Sequence, residues 1–203
     1  MATFSKDAIA LVPGDPTLYL RKGRLLLGMK RWDDAVSAFR HVVQADSTGI
    51  RAAEAYQEIA TVYTRAKQPA KAAQHLERLA LLQPTAATNL ALGVAWDAAG
   101  QPAKAVPAYR RAAELDPASP EAWLGLARSA FLSGDRDLAL ATYQAVPDSQ
   151  ALTTQDHESV GRVLLDRKDY PAAREAYLKA AAADSAQSDA TFYVGYTFYL
   201  ERK

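Results

Sequence analysis

A spacing of about 34 residues recurs along this 203-residue chain, and few folds are compatible with it. Small residues stand at Gly23, Ala60, Gly93, Ala127, Gly161 and Gly195. Twelve residues after the first five come alanines at 35, 72, 105, 139 and 173, and four further on Phe39, Leu76, Tyr109, Tyr143 and Tyr177. Four before the first column stand Tyr19, Tyr56, Asn89, Trp123 and His157; three after it stand Leu26, Tyr63, Trp96, Ala130 and Leu164. Residues at these offsets line one stripe of a helix. Small residues on that helix and on a second one let two backbones approach, and the bulky second-helix residue fills the space beside them. One such hairpin cannot cover its own apolar faces, so each must stack on the next.

The punctuation agrees. Gly100 and Gly134 fall between paired helices, where a left-handed residue is needed. Pro69, Pro102 and Pro171 fall in the first turn of second helices, where a missing N–H costs little. Ser119-Pro120-Glu121 reads as N-cap, first residue and an acid near the positive helix end. Alanine fills about a fifth of the chain while β-branched residues are sparse, a helical composition.

Here the chain resembles the tetratricopeptide repeat family, whose pattern runs W-x2-L-G-x2-Y, then A-x3-F-x2-A, then P. The second repeat carries it in Tyr56, Ile59, Ala60, Tyr63, Ala72, Leu76, Leu79 and Pro84. The third carries Leu92, Gly93, Trp96, Ala105, Tyr109, Ala112 and Pro117, with Asn89 in place of the aromatic, and the fourth Trp123, Leu126, Ala127, Ala139 and Tyr143. The resemblance implies an all-α fold, a right-handed α-solenoid of antiparallel helix pairs over 1–203. Its parts are the end of a preceding helix or cap over 1–14, repeats over 16–49, 53–85, 86–119, 120–153 and 154–187, and the first helix of an incomplete sixth over 188–203.

The departures are Lys22 at an apolar position, the insertion Ser47-Thr48-Gly49, Pro107 inside a second helix, and Pro147. Pro147 is expected to end the fourth repeat's second helix a turn early, with a loop through Thr153. Both ends look unfinished. Residues 4–13 read as the last turns of a second helix, and the sequence ends in a first helix without its partner, so the chain reads as part of a longer protein. On that helix Val194, Gly195 and Phe198 are expected to face repeat five, leaving Tyr193 and Leu200 for a neighbour.

Chemistry is sparse. Twenty-four Lys and Arg against 23 Asp and Glu leave a formal +1, not the basic excess of a nucleic-acid binder. There is no cysteine, which removes disulfides, thiol catalysis and Cys-type zinc sites. No phosphate loop, H-E-x-x-H, G-x-S-x-G or calcium loop occurs. His41, His75 and His157 lie in different repeats, so no metal or cofactor is expected. Acids at helix starts, Asp33-Asp34 and Asp156/Glu158, read as complements of the helix dipole. No apolar run is long enough to span a membrane, so no direct insertion is expected. The cytoplasm is the default compartment and the periplasm the alternative.

What remains is a binding surface. In the family's fold the first helices line an inner groove, and the positions three before, one after and four after the small column point into it. The peptide-binding candidates at these positions are Leu20, Arg24, Thr61, Leu90, Leu124, Arg128, Phe131, Glu158 and Arg162, and Arg65, one residue beyond Thr64, joins them. Apolar platforms with spaced guanidinium groups suit a peptide with apolar anchors and some acids. The family's Lys/Asn clamp for C-terminal carboxylates is missing. The expected activity is a non-enzymatic scaffold that binds a protein or peptide. The alternatives are self-assembly and a regulatory arm of a larger enzyme. A homodimer is expected to use Phe192, Tyr193, Tyr196, Phe198 and Tyr199 on the last helix.

Overall fold

The computed structural model describes residues 15–46, 48–147, 149–183 and 189–203. The helical turns expected over 4–13 lie outside them. The described residues form eleven α-helices and no strand. They divide into two compact units, 1–101 and 102–203.

The first unit holds α1 (Pro16–Gly28), α2 (Trp32–Ala45), α3 (Ile50–Arg65), α4 (Pro69–Leu82) and α5 (Ala86–Ala98). The second holds α6 (Pro102–Leu115), α7 (Pro120–Ser133), α8 (Arg136–Ala145), α9 (Thr154–Asp166), α10 (Tyr170–Ala183) and α11 (Ala190–Glu201). Within each unit neighbouring helices pack pairwise, α1 on α2 and α3 on α4, then α7 on α8 and α9 on α10. Helix starts follow their residues: the side chain of Asp15 accepts from Thr17 N at 2.8 Å, and Ser119 Oγ from Ala122 N at 3.3 Å. Pro16, Pro69 and Pro120 occupy first turns.

The small column works by close approach. A β-carbon at Gly23 would come within 2.4 Å of the Phe39 ring, and one at Gly161 within 2.9 Å of Tyr177. Both rings are buried. In the first unit Leu20, Leu27, Phe39, Val42, Ile59 and Val62 form one core cluster. In the second, Tyr143 and Tyr177 sit in two clusters that share Phe131 and Val160 on their edges. Pro107 lies inside α6, as its position implied.

α8 is ten residues long, where α2, α4, α6 and α10 each have 14. It stops before Pro147, and a short 3₁₀ turn at Ser149–Ala151 leads to the N-cap Thr153.

α11 corrects part of an expectation. Val194 packs against the repeat-five cluster and Phe198, though half exposed, meets Arg174 of α10, but Gly195 has nothing within 4 Å of its missing side chain, and the fully buried residues are Ala190 and Thr197. Tyr193, expected to await a neighbour, stacks on Tyr177 with centroids 4.9 Å apart. The reason lies in the column geometry. Position zero faces a helix's own second helix, as Gly23 and Gly161 do. The preceding hairpin is met by positions five before and two after, as at Ala122/Ser129, Asp156/Val163 and Ala190/Thr197, all buried. α11 docks like its predecessors, and its column-zero face stays open.

Candidate functional site

In the first unit α3 and α5 form the walls of a groove whose floor is α4. Its volume is about 640 Å³. Gln57, Thr61, Thr64 and Arg65 come from α3, Leu76 and Leu79 from α4, and Leu90, Ala91, Val94 and Ala98 from α5. The hydroxyls of Thr61 and Thr64 donate to the carbonyls of Gln57 and Ala60 at 3.0 and 2.9 Å. Their methyl groups and free lone pairs are left for a guest. Val94 is 53% exposed at the edge of the groove. The lining is apolar at its centre and carries a guanidinium at the Arg65 end. Three of the sequence candidates, Thr61, Arg65 and Leu90, meet here.

Other candidates sit differently. Leu20 and Leu124, expected on the open face, are buried and belong to the cores of their units. Leu20 packs with Ala55 and Ile59 of the next first helix and Leu124 beside Val160, whereas Leu90, at the same position of its repeat, lines the groove. Arg24 and Arg128, expected to present guanidinium groups to a guest, are engaged inside the chain. Arg24 bonds Glu54 and, at 2.7 Å, Glu58, two residues of α3. Arg128 holds Asp156 with two hydrogen bonds of 2.7 and 2.6 Å.

Asp156 is more than a complement to the α9 dipole. It is 1% exposed, closes a capping box with Thr153, and accepts from the Tyr143 hydroxyl at 3.1 Å. Burial alone would raise its pKa; the bonds from Arg128 and Thr153 outweigh this and hold it below the usual carboxylate range. The same burial and the neighbouring carboxylate push the Tyr143 hydroxyl up. The only sequence clue to the cluster was an acid at a position that holds Leu18, Ala55, Thr88, Ala122 and Ala190 in the other first helices. Charge against charge between successive first helices was missed.

The guanidinium groups of Arg136 and Arg162 both approach the Phe131 ring, 4.3 and 5.8 Å from its centroid. Glu158 stands one turn before Arg162 on α9, half-buried. Beneath the shortened α8 a pocket of about 320 Å³ is lined by Val146, Leu152, His157, Val160 and Ala176, with Glu175 and Lys179 bridged beside it. Burial, and then Lys179, lower the pKa of His157. Of the self-association candidates, Phe192, Tyr196 and Tyr199 form an exposed row with centroids 6.1 and 6.3 Å apart, and Phe198 lies under Arg174 at 3.8 Å. Among the described residues no group of three acids or histidines could hold a metal, and no helix is long and apolar enough to cross a membrane.

Tetratricopeptide repeat family models match residues 98–155 and, in a second case, 20–89 and 160–203. The chain belongs to the tetratricopeptide repeat family. Tetratricopeptide repeats generally mediate protein–protein interactions and are generally non-enzymatic scaffolds. No curated protein matches the chain. Among solved structures it is similar to YrrB, described as a tetratricopeptide repeat protein with an unusual peptide-binding site. That match has 22% identity and a TM-score of 0.72, covering 93% of this chain and 96% of that one. It is also similar to the MamA protein, at 20% identity and a TM-score of 0.66 over 84% and 92% of the two chains. MamA from Desulfovibrio magneticus RS-1 matches at 14% identity and a TM-score of 0.62 over 85% and 97%. At these identities the likeness is one of fold.

Proposed function

We propose that this tetratricopeptide repeat protein is a scaffold whose α3–α5 groove binds an extended peptide segment of a partner protein. The groove carries the reading: about 640 Å³ of mostly apolar lining, bordered by the exposed Val94 and ending at Arg65. Apolar side chains of the guest fill the centre, and an acidic or carbonyl group of the guest meets Arg65. The peptide-binding site of YrrB, a protein of the same fold, adds support. The test is a displayed-peptide selection on the intact protein, followed by binding titrations with the winning sequences. Leu90→Glu and Val94→Glu should weaken binding at least tenfold, because each places a charge in the apolar centre, while Arg24→Ala leaves it unchanged. Equal binding by Leu90→Glu and the parent protein would overturn the reading.

A second reading, self-association through α11, is supported by the exposed row Phe192, Tyr196 and Tyr199. Burying such rings is worth on the order of 2 kcal/mol each. The mass measured by light scattering should rise with concentration for the parent protein and stay monomeric for Phe192→Ser with Tyr199→Ser. A mass constant over the whole series would count against it.

A further inference from the structure

Three first helices carry an arginine one residue after the small column, at 24, 128 and 162. The first two each meet carboxylates of the next first helix in their own unit. Asp156, which receives Arg128, stands five residues before Gly161. The residue five before Gly195 is Ala190, fully buried. The position that supplies Arg128 with its carboxylate carries only a methyl group in the first helix that follows Arg162. Its guanidinium lies against Phe131 instead, at 5.8 Å.

A second cation shares that ring. Arg136, the first residue of α8, holds its guanidinium 4.3 Å from the Phe131 centroid. Measured through the ring, the two guanidinium carbons are at most about 10 Å apart, roughly one Debye length, so their charges repel. The Nη1 atom of Arg136 is buried and has no hydrogen-bond partner. Stacking on a ring face satisfies none of the in-plane N–H groups, and a desolvated charged donor without an acceptor is costly. The nearest acid in sequence beyond its own N-cap, Asp137, is bound by Arg167. Glu158 and Asp166 stand one turn to either side of Arg162 along α9.

We infer that Phe131, Arg136 and Arg162 form a carboxylate-binding site, in which an incoming carboxylate accepts from Arg136 and Arg162 beside the Phe131 ring. Two guanidinium groups offer several donors in fixed planes, the geometry a carboxylate matches best. The ring keeps both planes in place and excludes water from one side. The carboxylate comes from an acidic side chain of a partner protein or from a free chain terminus. The site is separate from the α3–α5 groove and does not depend on it.

The test uses the whole protein with ¹⁵N-labelled arginine side chains. The probes are sodium acetate, an N-acetylated C-amidated glutamate-rich peptide, and a neutral peptide with a free C-terminus, each matched against sodium chloride. The Nε–Hε signals of Arg136 and Arg162 should move with acetate and saturate, while those of Arg24 and Arg128 stay. Preference for the amidated acidic peptide assigns the site to acidic side chains, and preference for the free-ended peptide assigns it to a chain terminus. Arg162→Gln should weaken binding about tenfold, as loss of a charge-assisted hydrogen bond does. Arg136→Gln could loosen the first turn of α8, so Arg136→Lys is measured beside it and should weaken binding severalfold with unchanged amide spectra. Leu90→Glu should leave the acetate response intact. Arginines that all respond alike, chloride reproducing the acetate shifts, or Arg162→Gln binding as well as the parent would each overturn the site.

Discussion

The first helices of the two units carry the same columns and use them differently. In the first unit Thr61 and Thr64 occupy the positions one and four after the column, and their small side chains leave an apolar groove beside Leu90 and Val94. In the second, Arg128 and Phe131 occupy the same two positions. Arg128 is drawn down onto the buried Asp156, and Phe131 gathers two guanidinium groups. One register therefore yields an apolar channel in one unit and a charged aromatic cluster in the other. The repeat dictates where side chains point; two residues per hairpin decide what the surface can recognise.

The contrast is sharpest in the ion pairs. Arg128–Asp156 has one partner 1% exposed, whereas Arg24, Glu54 and Glu58 all reach solvent. Asp156→Ala removes a buried partner, a capping box and the acceptor of Tyr143. It should cost about 3 kcal/mol, and α7–α9 should lose hydrogen-exchange protection first. Glu58→Ala should cost under about 1 kcal/mol, as exposed pairs do. Equal losses in urea titrations would erase the distinction between the units.

The small column gives the next largest effect, and it tests an end against an interior. Gly23→Ala and Gly161→Ala drive a methyl group into the buried rings of Phe39 and Tyr177, costing about 2 kcal/mol each. Gly195→Ala, at the same position of α11, meets nothing within 4 Å and should stabilise its helix by about 0.5 kcal/mol. If all three behave alike, position zero does not face the second helix.

Histidines probe the units through pH. Burial, helped by Arg40, lowers the pKa of His75 in the first unit; burial, helped by Lys179, lowers that of His157 in the second. Both are ordinary histidines when unfolded, near 6.5. Above that pH both states are neutral and the rings cost nothing. As pH falls below it the unfolded chain binds protons that the folded chain resists, so stability declines until the lowered folded pKa is passed. His75→Gln and His157→Gln should each flatten this decline between pH 6.5 and the acid limb set by carboxylates such as Asp156. A decline unchanged in the double variant would remove the histidines from the account.

Much of this was legible in the sequence. The hairpin pattern, the first-turn prolines, Gly100 and Gly134 as left-handed residues, and the early end of α8 at Pro147 all follow from backbone chemistry local to a few residues. Thr61, Arg65 and Leu90 could be brought together because they share a helix face or a column. What escaped was chemistry between helices. Nothing in a column says that Arg128 reaches an acid 28 residues later, or that Leu20 and Leu124 tilt into the core. On α11 Val194 and Phe198 reach repeat five as the pattern implies, but Gly195 does not and Tyr193 does, because position zero looks forward to a helix's own partner.

The smallest effect concerns a column the pattern did not reveal. Seven residues after the first five small residues come Lys30, Lys67, Gly100, Gly134 and Lys168, and all five have positive φ, from 56 to 91°. Each ends a first helix in the same way. Its N–H donates to the carbonyl three back, as Lys67 does to Thr64 at 3.1 Å and Gly134 to Phe131 at 3.2 Å. The next N–H reaches five back, as Gln68 does to Tyr63 at 2.8 Å and Asp135 to Ala130 at 2.9 Å. This is the glycine-terminated helix end, filled three times by lysine. The left-handed conformation costs a non-glycine residue on the order of 1–2 kcal/mol. Against this, glycine gains roughly 0.4–1 kcal/mol of unfolded-state entropy, and lysine complements the helix C-terminus by about 0.3 kcal/mol. The strain narrowly wins, so Lys67→Gly and Lys168→Gly should each stabilise by about 0.5 kcal/mol, one in each unit. Gly100→Lys and Gly134→Lys should cost about the same. Urea midpoints decide it: a gain in one unit and a loss in the other would mean that the turn responds to its surroundings and not to its own backbone.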